Sequence, residues 1–246
     1  MREVWRMWQY STMVVLTVLT AGIFAAILIP FKGIPLIPGV TELRPANVIP
    51  VVFGLLFGPA GAWGAAFGNL IGDFFGTLGV GSFFGFWGNF LAAYLPYKMW
   101  RNRPVGGLTR HLPRFILAVL LGATGCALVV GFGLEAVKLL PFSVIAVAVF
   151  INNALIALIL GPLLLRLLEP RVSRWDLYWR ELMDPEDCPP GPAPRLGLAL
   201  VWLGAGGGYL LGLALSFGLI SGPGLPSLVV LLTPFLTLLL AGCFLL

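Results

Sequence analysis

The chain has 246 residues, of which 59% are hydrophobic and only 10% are charged, and its mean hydropathy is +0.99. These values exclude a soluble globular domain and indicate a polytopic membrane protein surrounded by lipid. The formal net charge of +5 does not indicate a nucleic-acid partner, because the basic residues lie between apolar segments instead of forming one patch.

Eight apolar segments follow one another along the chain and are predicted to be membrane helices. They cover residues 9–29, 46–57, 62–78, 82–99, 115–137, 142–168, 196–219 and 225–246. Arg2 and Arg6 precede the first segment, and further basic residues cluster at 98–114 and 166–180. Because Lys and Arg are enriched in cytoplasmic loops, we expect a multi-pass protein of the cell membrane with both termini in the cytoplasm.

The predicted fold is an all-α membrane bundle with three parts. Residues 1–168 form a six-helix substrate-binding core, and the polar segment 169–195 forms a cytoplasmic linker. Trp175 and Trp179 lie among arginines within that linker, which would suit a short interfacial helix. Residues 196–246 carry no charged side chain and are predicted to form a C-terminal extension of two membrane helices.

The third predicted helix carries the most informative pattern, which reads GAAFGNLIGDFFG at residues 64–76. Glycine recurs there at every fourth position, which allows another helix to approach closely. Asn69 and Asp73 are also four residues apart, so both side chains project from one face of the helix. An acid among apolar residues is costly unless it has a partner, so we expect a polar site on this helix.

Few polar residues lie at membrane depth, and they define the candidate site. The predicted substrate-binding residues are Arg44, Asn47, Asn69, Asp73, Trp87, Asn89, Glu135, Asn152 and Asn153. The Arg44 guanidinium, where the chain re-enters the membrane, could hold an anionic or carbonyl group. Asp73 could instead have a structural role as the partner of Arg44 or Lys138. Asn152 and Asn153 point about 100° apart on a helix, so only one of them is expected to face the bundle interior.

Aromatic residues crowd the same level of the predicted bundle. They are Phe74, Phe75, Phe83, Phe84, Phe86 and Trp87. Most phenylalanines in membrane helices face lipid or core, but a cluster beside Arg44, Asp73 and Asn89 would suit a flat heteroaromatic ligand.

The first predicted helix carries Thr17, Ala21 and Ala25 at four-residue spacing. These small side chains make one smooth stripe along the helix. Such a stripe permits close contact with another helix, either of this chain or of a partner protein.

Four stretches together resemble the S components of energy-coupling factor (ECF) transporters, over about residues 17–168. They are Ala21-xxx-Ala25, Glu42-Leu-Arg44-Pro45, PVVFGLLFGPAGAWGAAFGNLIGD at 50–73 and GNFLAAYLPYKMWR at 88–101. The resemblance implies a six-helix protein that binds a vitamin or similar micronutrient from outside, beneath the loop after the first helix. The two C-terminal helices are absent from a plain six-helix S component.

The same resemblance implies partner proteins. The stripe formed by Thr17, Ala21 and Ala25 would dock on a transmembrane coupling subunit, and two cytoplasmic ATPases would supply energy. The substrate would then be delivered by toppling of the S component within the membrane. The absence of a Walker A motif from the sequence fits ATP hydrolysis by those partners.

Two other classes of protein fit the sequence less well than an S component does. A self-sufficient secondary transporter would use Asp73 for ion coupling, but the later half of the chain offers no corresponding acid. An intramembrane enzyme would need a cluster of catalytic or metal-binding side chains. The three cysteines are far apart and His111 is the only histidine, so we expect no enzyme activity, metal or cofactor.

Overall fold

A computed structural model describes residues 1–37, 41–100 and 108–246. The helices in these ranges are α1 (Arg2–Arg6), α2 (Ser11–Leu28), α3 (Val48–Phe57), α4 (Pro59–Asp73), α5 (Val80–Met99), α6 (Leu108–Ala136), α7 (Phe142–Arg174), α8 (Trp179–Leu182), α9 (Pro194–Trp202), α10 (Gly208–Ser216) and α11 (Leu228–Leu245). A π-helical turn, Leu203–Gly207, joins α9 to α10. Each of the eight predicted membrane segments is therefore mainly helical, as the polytopic all-α prediction requires.

Five helical segments in the described ranges are long and apolar enough to cross a membrane. They are Ser11–Phe31, His111–Ala136, Phe142–Leu182, Pro194–Ser216 and Leu228–Leu245. A shorter apolar helix covers Pro45–Phe57. The glycine-rich helices α4 and α5 lie beside these segments in the same bundle, with α4 packed on α2 and α5 packed on α6.

The third predicted helix begins and ends earlier than expected, because α4 covers Pro59–Asp73 instead of residues 62–78. Gly58 has a φ of 55° and ends α3, and Pro59 then begins α4 at once, since proline fits the first turn of a helix. Gly76 has a φ of 134° and lies in the turn after the helix. The helical part of the glycine pattern therefore stops at Gly72.

One short antiparallel pair of strands interrupts the helices, which the all-α prediction did not include. Strands β1 (Pro35–Ile37) and β2 (Thr41–Glu42) pair within the loop that joins α2 to α3. The backbone N–H of Leu43 donates to Ile34 O at 2.9 Å and extends this pairing. The described part of this segment, which we call the first loop (residues 32–37 and 41–47), is thus folded back over one end of the bundle.

Helix α4 lies against α2 through its glycines. A Cβ atom added at Gly68 would lie 2.6 Å from the Cβ of Phe24 and 2.9 Å from the carbonyl oxygen of Ala21. Gly64 and Gly72 make the same kind of contact with Thr20 and Leu28 of α2. The α2–α4 interface therefore has no room for even one more methyl group at these positions.

The C-terminal helices pack directly on the core. Gly212 of α10 lies against the ring of Phe142, and the rings of Phe150 and Tyr209 are 5.1 Å apart. Near the C-terminal end of α11, Cys243 O accepts from the buried hydroxyl of Tyr94 at 2.8 Å. The division into a core, a linker and an extension stays a prediction, but these contacts attach the extension firmly to α5 and α7.

The segment predicted as a linker also contacts the core. Helix α8 has only four residues, and its first residue, Trp179, is buried against Gly58 and Tyr97, whereas Trp175 is exposed. The hydroxyl of Tyr10 donates to Asp187 at 2.8 Å, which ties this segment to the start of α2. An interfacial role for the segment stays a prediction.

Candidate functional site

A polar cavity of about 220 Å³ lies at the end of the bundle covered by the first loop. Helices α4, α5, α6 and α7 supply most of its wall. The lining residues are Arg44, Asn47, Asn69, Asp73, Thr77, Gly81, Ser82, Gly85, Asn89, Cys126, Val130, Leu134, Leu140, Ile145, Val149 and Asn153. The polar groups gather on the α4, α5 and first-loop side, whereas α6 and α7 contribute mostly aliphatic side chains.

Six of the nine predicted binding residues line this one cavity. They are Arg44, Asn47, Asn69, Asp73, Asn89 and Asn153. Residues that are distant in sequence therefore meet at one place, as the prediction requires. Trp87, Glu135 and Asn152 do not line the cavity, and a role for them in substrate contact does not fit this geometry.

Asp73 is paired with Lys32 of the first loop. The Asp73 Oδ1 lies 3.7 Å from Lys32 Nζ, and both side chains are almost fully buried. Thr77 donates to the same oxygen at 3.0 Å, and Asn69 Nδ2 donates to Oδ2 at 3.2 Å. Asp73 thus pairs with Lys32 and not with Arg44 or Lys138, the structural partners expected from the sequence.

Lys32 itself sits just outside the first membrane segment. It donates to Thr77 Oγ1 as well as pairing with Asp73. Burial lowers the pKa of Lys32 from its ordinary value of 10.5, whereas the Asp73 carboxylate opposes that shift. Because each charge compensates the other, the pair holds the first loop to the end of α4 without leaving a free acid.

Arg44 enters the cavity from the first loop. Its Nη1 donates to Asn69 Oδ1 at 3.4 Å. Its Nε is buried and has no hydrogen-bond partner in the part of the chain that the structure describes. The guanidinium therefore retains one donor without a partner in the described part of the chain.

Asn152 holds the backbone on both sides of Leu43. Its Nδ2 donates to Glu42 O at 2.8 Å, and its Oδ1 accepts from the backbone N–H of Arg44 at 3.3 Å. Asn153 instead faces the cavity. Both asparagines are buried, but only Asn153 lines the cavity, because Asn152 faces the first loop, which covers the second side of α7.

Glu135 and Trp87 have structural contacts of other kinds. Glu135 Oε2 accepts from the backbone N–H of Phe142 at 2.6 Å and so satisfies a donor at the start of α7. Trp87 packs against Trp63, Phe86 and Phe90, with ring centroids 5.3–6.3 Å apart. None of the six aromatic residues expected beside the site lines the cavity.

The aromatic prediction fails because α5 has two distinct faces. Ser82, Gly85 and Asn89 follow one another at helical spacing and face the cavity. The aromatic side chains begin one position later and turn about 100° away, where Phe83 and Trp87 are exposed. The spacing of Ser82, Gly85 and Asn89 was the sequence signal that could have located this wall.

Several cavity residues were not predicted at all. Thr77, Ser82 and Cys126 line the cavity, and Lys32 anchors its edge. Gly85 matters through its lack of a side chain, because a Cβ there would lie 3.0 Å from Asn69 Nδ2. Only the packing of α4 on α5 reveals this role.

The predicted docking stripe of Thr17, Ala21 and Ala25 is covered by α4. These residues are 3%, 5% and 5% exposed, and α4 approaches them through Gly64 and Gly68. The stripe therefore does not form an open docking surface, because an internal helix already occupies it. On the adjacent face of α2, Gly22 and Ala26 are exposed, and a Cβ at Gly22 would meet nothing within 4 Å.

These features describe a multi-pass helical membrane protein, whose bundle surrounds a cavity that the first loop covers. No group of three or more metal-binding side chains occurs in the described ranges. Residues 14–170 match the family model described as QueT transporter. No curated protein and no solved structure matched the chain.

The matched region spans more than half of the 246 residues, and the chain belongs to the QueT transporter family. This is a family of ECF S components for queuosine precursors, so the resemblance noted in the sequence is confirmed. The protein is a membrane transporter component and not an enzyme. Helices α8 to α11 lie beyond the matched region.

Proposed function

We propose that this chain is the substrate-binding subunit of an ECF-type importer and binds a queuosine precursor, or a closely related micronutrient, in the cavity under the first loop. The observation that carries this proposal is the convergence of six separately predicted polar residues on one cavity in a chain of this family. A cavity of about 220 Å³ is smaller than those that hold drug-sized molecules, so it suits a single small base.

The ion pair of Asp73 with Lys32 supports an ECF mechanism over an ion-coupled one. An acid that couples transport to an ion must change its charge or bind that ion during the cycle. Asp73 instead accepts from Asn69 and Thr77 while facing Lys32 at 3.7 Å. Energy is therefore assigned to two cytoplasmic ATPases that act through a transmembrane coupling subunit.

The open face of α2 is the proposed docking surface for that coupling subunit. Gly22 and Ala26 lie on this face and allow a partner helix to approach closely. The neighbouring stripe with Ala21 is buried and only supports α4. The C-terminal helices pack on α6 and α7 and leave this face of α2 uncovered. Toppling of the docked subunit would then deliver the substrate to the cytoplasm.

Binding to the purified chain in lipid nanodiscs tests the first part of the proposal. We expect a queuosine precursor base to bind with one-to-one stoichiometry by calorimetry. Arg44→Ala should weaken binding by about 10- to 100-fold, because a hydrogen bond from a charged donor is lost. Arg166→Ala, which removes an exposed arginine outside the cavity, is the matched control. Wild-type affinity of the Arg44 variant would contradict the site.

Transport in proteoliposomes tests the second part. We expect uptake only when the coupling subunit and both ATPases are present. ATP must also be supplied in the vesicle lumen, which corresponds to the cytoplasm. Sustained uptake by this chain alone, driven by an ion gradient, would contradict the proposal. An Asp73→Asn variant that binds ligand but lost such uptake would then identify the ion-coupling acid.

A further inference from the structure

The C-terminal half of α7 carries an exposed surface that plays no part in the cavity. Ile159, Leu163 and Leu167 are 61%, 56% and 49% exposed and follow one another at four-residue spacing. Arg171 and Arg174 come next at helical spacing and are exposed as well. We call these five residues the α7 surface. It changes from apolar to cationic along a single helix.

The two arginines of the α7 surface are not neutralised by the protein. They are three residues apart, so their charges are neighbours on the helix and repel each other. Arg171 Nη1 donates only to Leu167 O of its own helix. Within the described ranges, neither Glu169 nor Asp176, the acids nearest in sequence, forms an ion pair with Arg171 or Arg174. An anion bound here would therefore gain charge-assisted contacts and relieve the repulsion.

The chain that follows α7 fixes the depth of these arginines. Trp179, five residues after Arg174, is buried against Tyr97 with ring centroids 5.5 Å apart. Tyr97 lies in the last turn of α5, so Arg174 lies near the level at which this helix ends. Trp175 is 64% exposed, and exposed tryptophan is typical of the membrane–water interface. The arginines are thus placed at the depth of lipid headgroups, and the apolar part of the α7 surface at the depth of acyl chains.

We propose that the α7 surface binds an anionic diacyl phospholipid, whose phosphate accepts from Arg171 and Arg174 and whose acyl chains cover its apolar part. A small anion would use the arginines but leave the apolar side chains uncovered. Phosphatidylcholine would cover those side chains but would bring its own cationic group close to the guanidinium groups. An anionic lipid satisfies both parts of the surface. This inference goes beyond the proposed function, because it concerns neither the substrate nor the coupling subunit.

Lipid binding to the full chain in detergent tests the inference, with native mass spectrometry measuring the affinity of the first bound lipid. The probes are phosphatidylglycerol, phosphatidylcholine with the same acyl chains, and glycerol phosphate, which is an anion without acyl chains. We expect phosphatidylglycerol to bind about 30-fold more tightly than phosphatidylcholine, because each arginine near an anionic headgroup contributes about fivefold. Glycerol phosphate should not displace it.

Two double variants that remove the same charge assign this preference to one place. Arg171→Gln with Arg174→Gln should reduce the preference to about threefold or less. Arg2→Gln with Arg195→Gln is the matched control, since both residues are exposed and lie outside the α7 surface. The control should keep the preference of the unchanged chain. All four arginines are exposed, so both double variants should keep the melting temperature that the unchanged chain has in phosphatidylcholine.

Each other outcome overturns the inference. Equal loss of the preference in both double variants would assign it to the overall charge of the chain, and no preference in the unchanged chain would remove its basis. Displacement of phosphatidylglycerol by glycerol phosphate would identify a site for a small anion. Loss of the coupling subunit from the Arg171 and Arg174 double variant, with an unchanged lipid preference, would assign the surface to that protein. Binding of the queuosine precursor by the same variants tests the proposed function separately, because the α7 surface does not line the cavity.

Discussion

Adjacent residues on α2 should respond in opposite ways to the same substitution. Ala21 is 5% exposed and faces Gly68, whereas Gly22 is exposed with open space around it. Replacing either residue with leucine adds a bulky apolar side chain to a membrane helix. Ala21→Leu should therefore destabilise the chain, and Gly22→Leu should instead prevent docking of the coupling subunit.

The size of the first effect follows from the α2–α4 contact. A single methyl group on Gly68 would already lie 2.9 Å from Ala21 O, so this interface has no space for a leucine. Overpacking of this kind costs about 1–3 kcal/mol, and for a chain of this size each kcal/mol lowers the melting temperature by about 2–4 °C. Gly22→Leu should leave stability unchanged or raise it by up to about 1 kcal/mol, because leucine favours a helix more than glycine does.

Three measurements separate these effects. Thermal unfolding in detergent measures stability, ligand binding measures the integrity of the cavity, and co-purification measures docking of the coupling module. Gly22→Leu should bind ligand normally and lose the coupling module. Ala21→Leu should retain the module in the fraction that remains folded. A stable Ala21→Leu that lost the module, together with a Gly22→Leu variant that transported normally, would refute our placement of the docking face.

Three further effects can be measured in the same preparations. Asn152→Ala should weaken ligand binding about 10-fold without touching the cavity, because two hydrogen bonds to the first loop are lost, and faster hydrogen exchange at residues 42–44 should accompany it. Burial alone would raise the pKa of Glu3, but the Lys98 ammonium 2.6 Å away holds it below its ordinary value of 4.5. The stabilisation from the Glu3–Lys98 pair should thus be complete above pH 4.5 and should be lost as the pH falls through the lowered pKa that Glu3 has in the folded state. Thermal unfolding scans at a series of pH values should show this loss in the unchanged chain but not in Glu3→Gln. Bound ligand should slow alkylation of the buried Cys126 by a small thiol reagent in a Cys188→Ser background, and equal rates with and without ligand would place the ligand elsewhere.

The succession of membrane helices was predictable because long apolar segments have few other stable structures in a bilayer. The limits were less predictable where local chemistry decides them. Pro59 begins α4 three residues before the expected start, and the turn around Gly76 ends it five residues early. The β1–β2 pair could not be predicted, since two such short strands carry too little pattern to distinguish them from a loop.

The polar members of the site were predictable for a different reason. A charge or an amide at membrane depth is costly, so Arg44, Asn69 and Asp73 are candidate site residues whatever the arrangement of the helices. The partner of each one was not predictable. No sequence pattern marks Lys32 as the partner of Asp73, and Asn152 was treated as an alternative to Asn153, because sequence spacing does not show how the first loop folds over the helices.

The faces of the helices were the least predictable feature. Ala21 and Ala25 have the same four-residue spacing as Gly22 and Ala26, and all four residues are small. Both pairs fit a docking stripe equally well, and they differ only in that α4 covers the first pair. A small-residue pattern thus predicts close packing but does not identify the helix that packs.

The glycine pattern of α4 and its acidic residue belong to one arrangement. Gly64, Gly68 and Gly72 bring α4 against α2 along its length, and the last of them contacts Leu28 near the end of α2. This close contact places Lys32, four residues beyond Leu28, beside Asp73, one residue beyond Gly72. Asp73 then orients Asn69, and Asn69 orients Arg44. Lys32 and Asp73 thus compensate each other's charge at the edge of the cavity, and the position of the Arg44 guanidinium depends on that pair through Asn69.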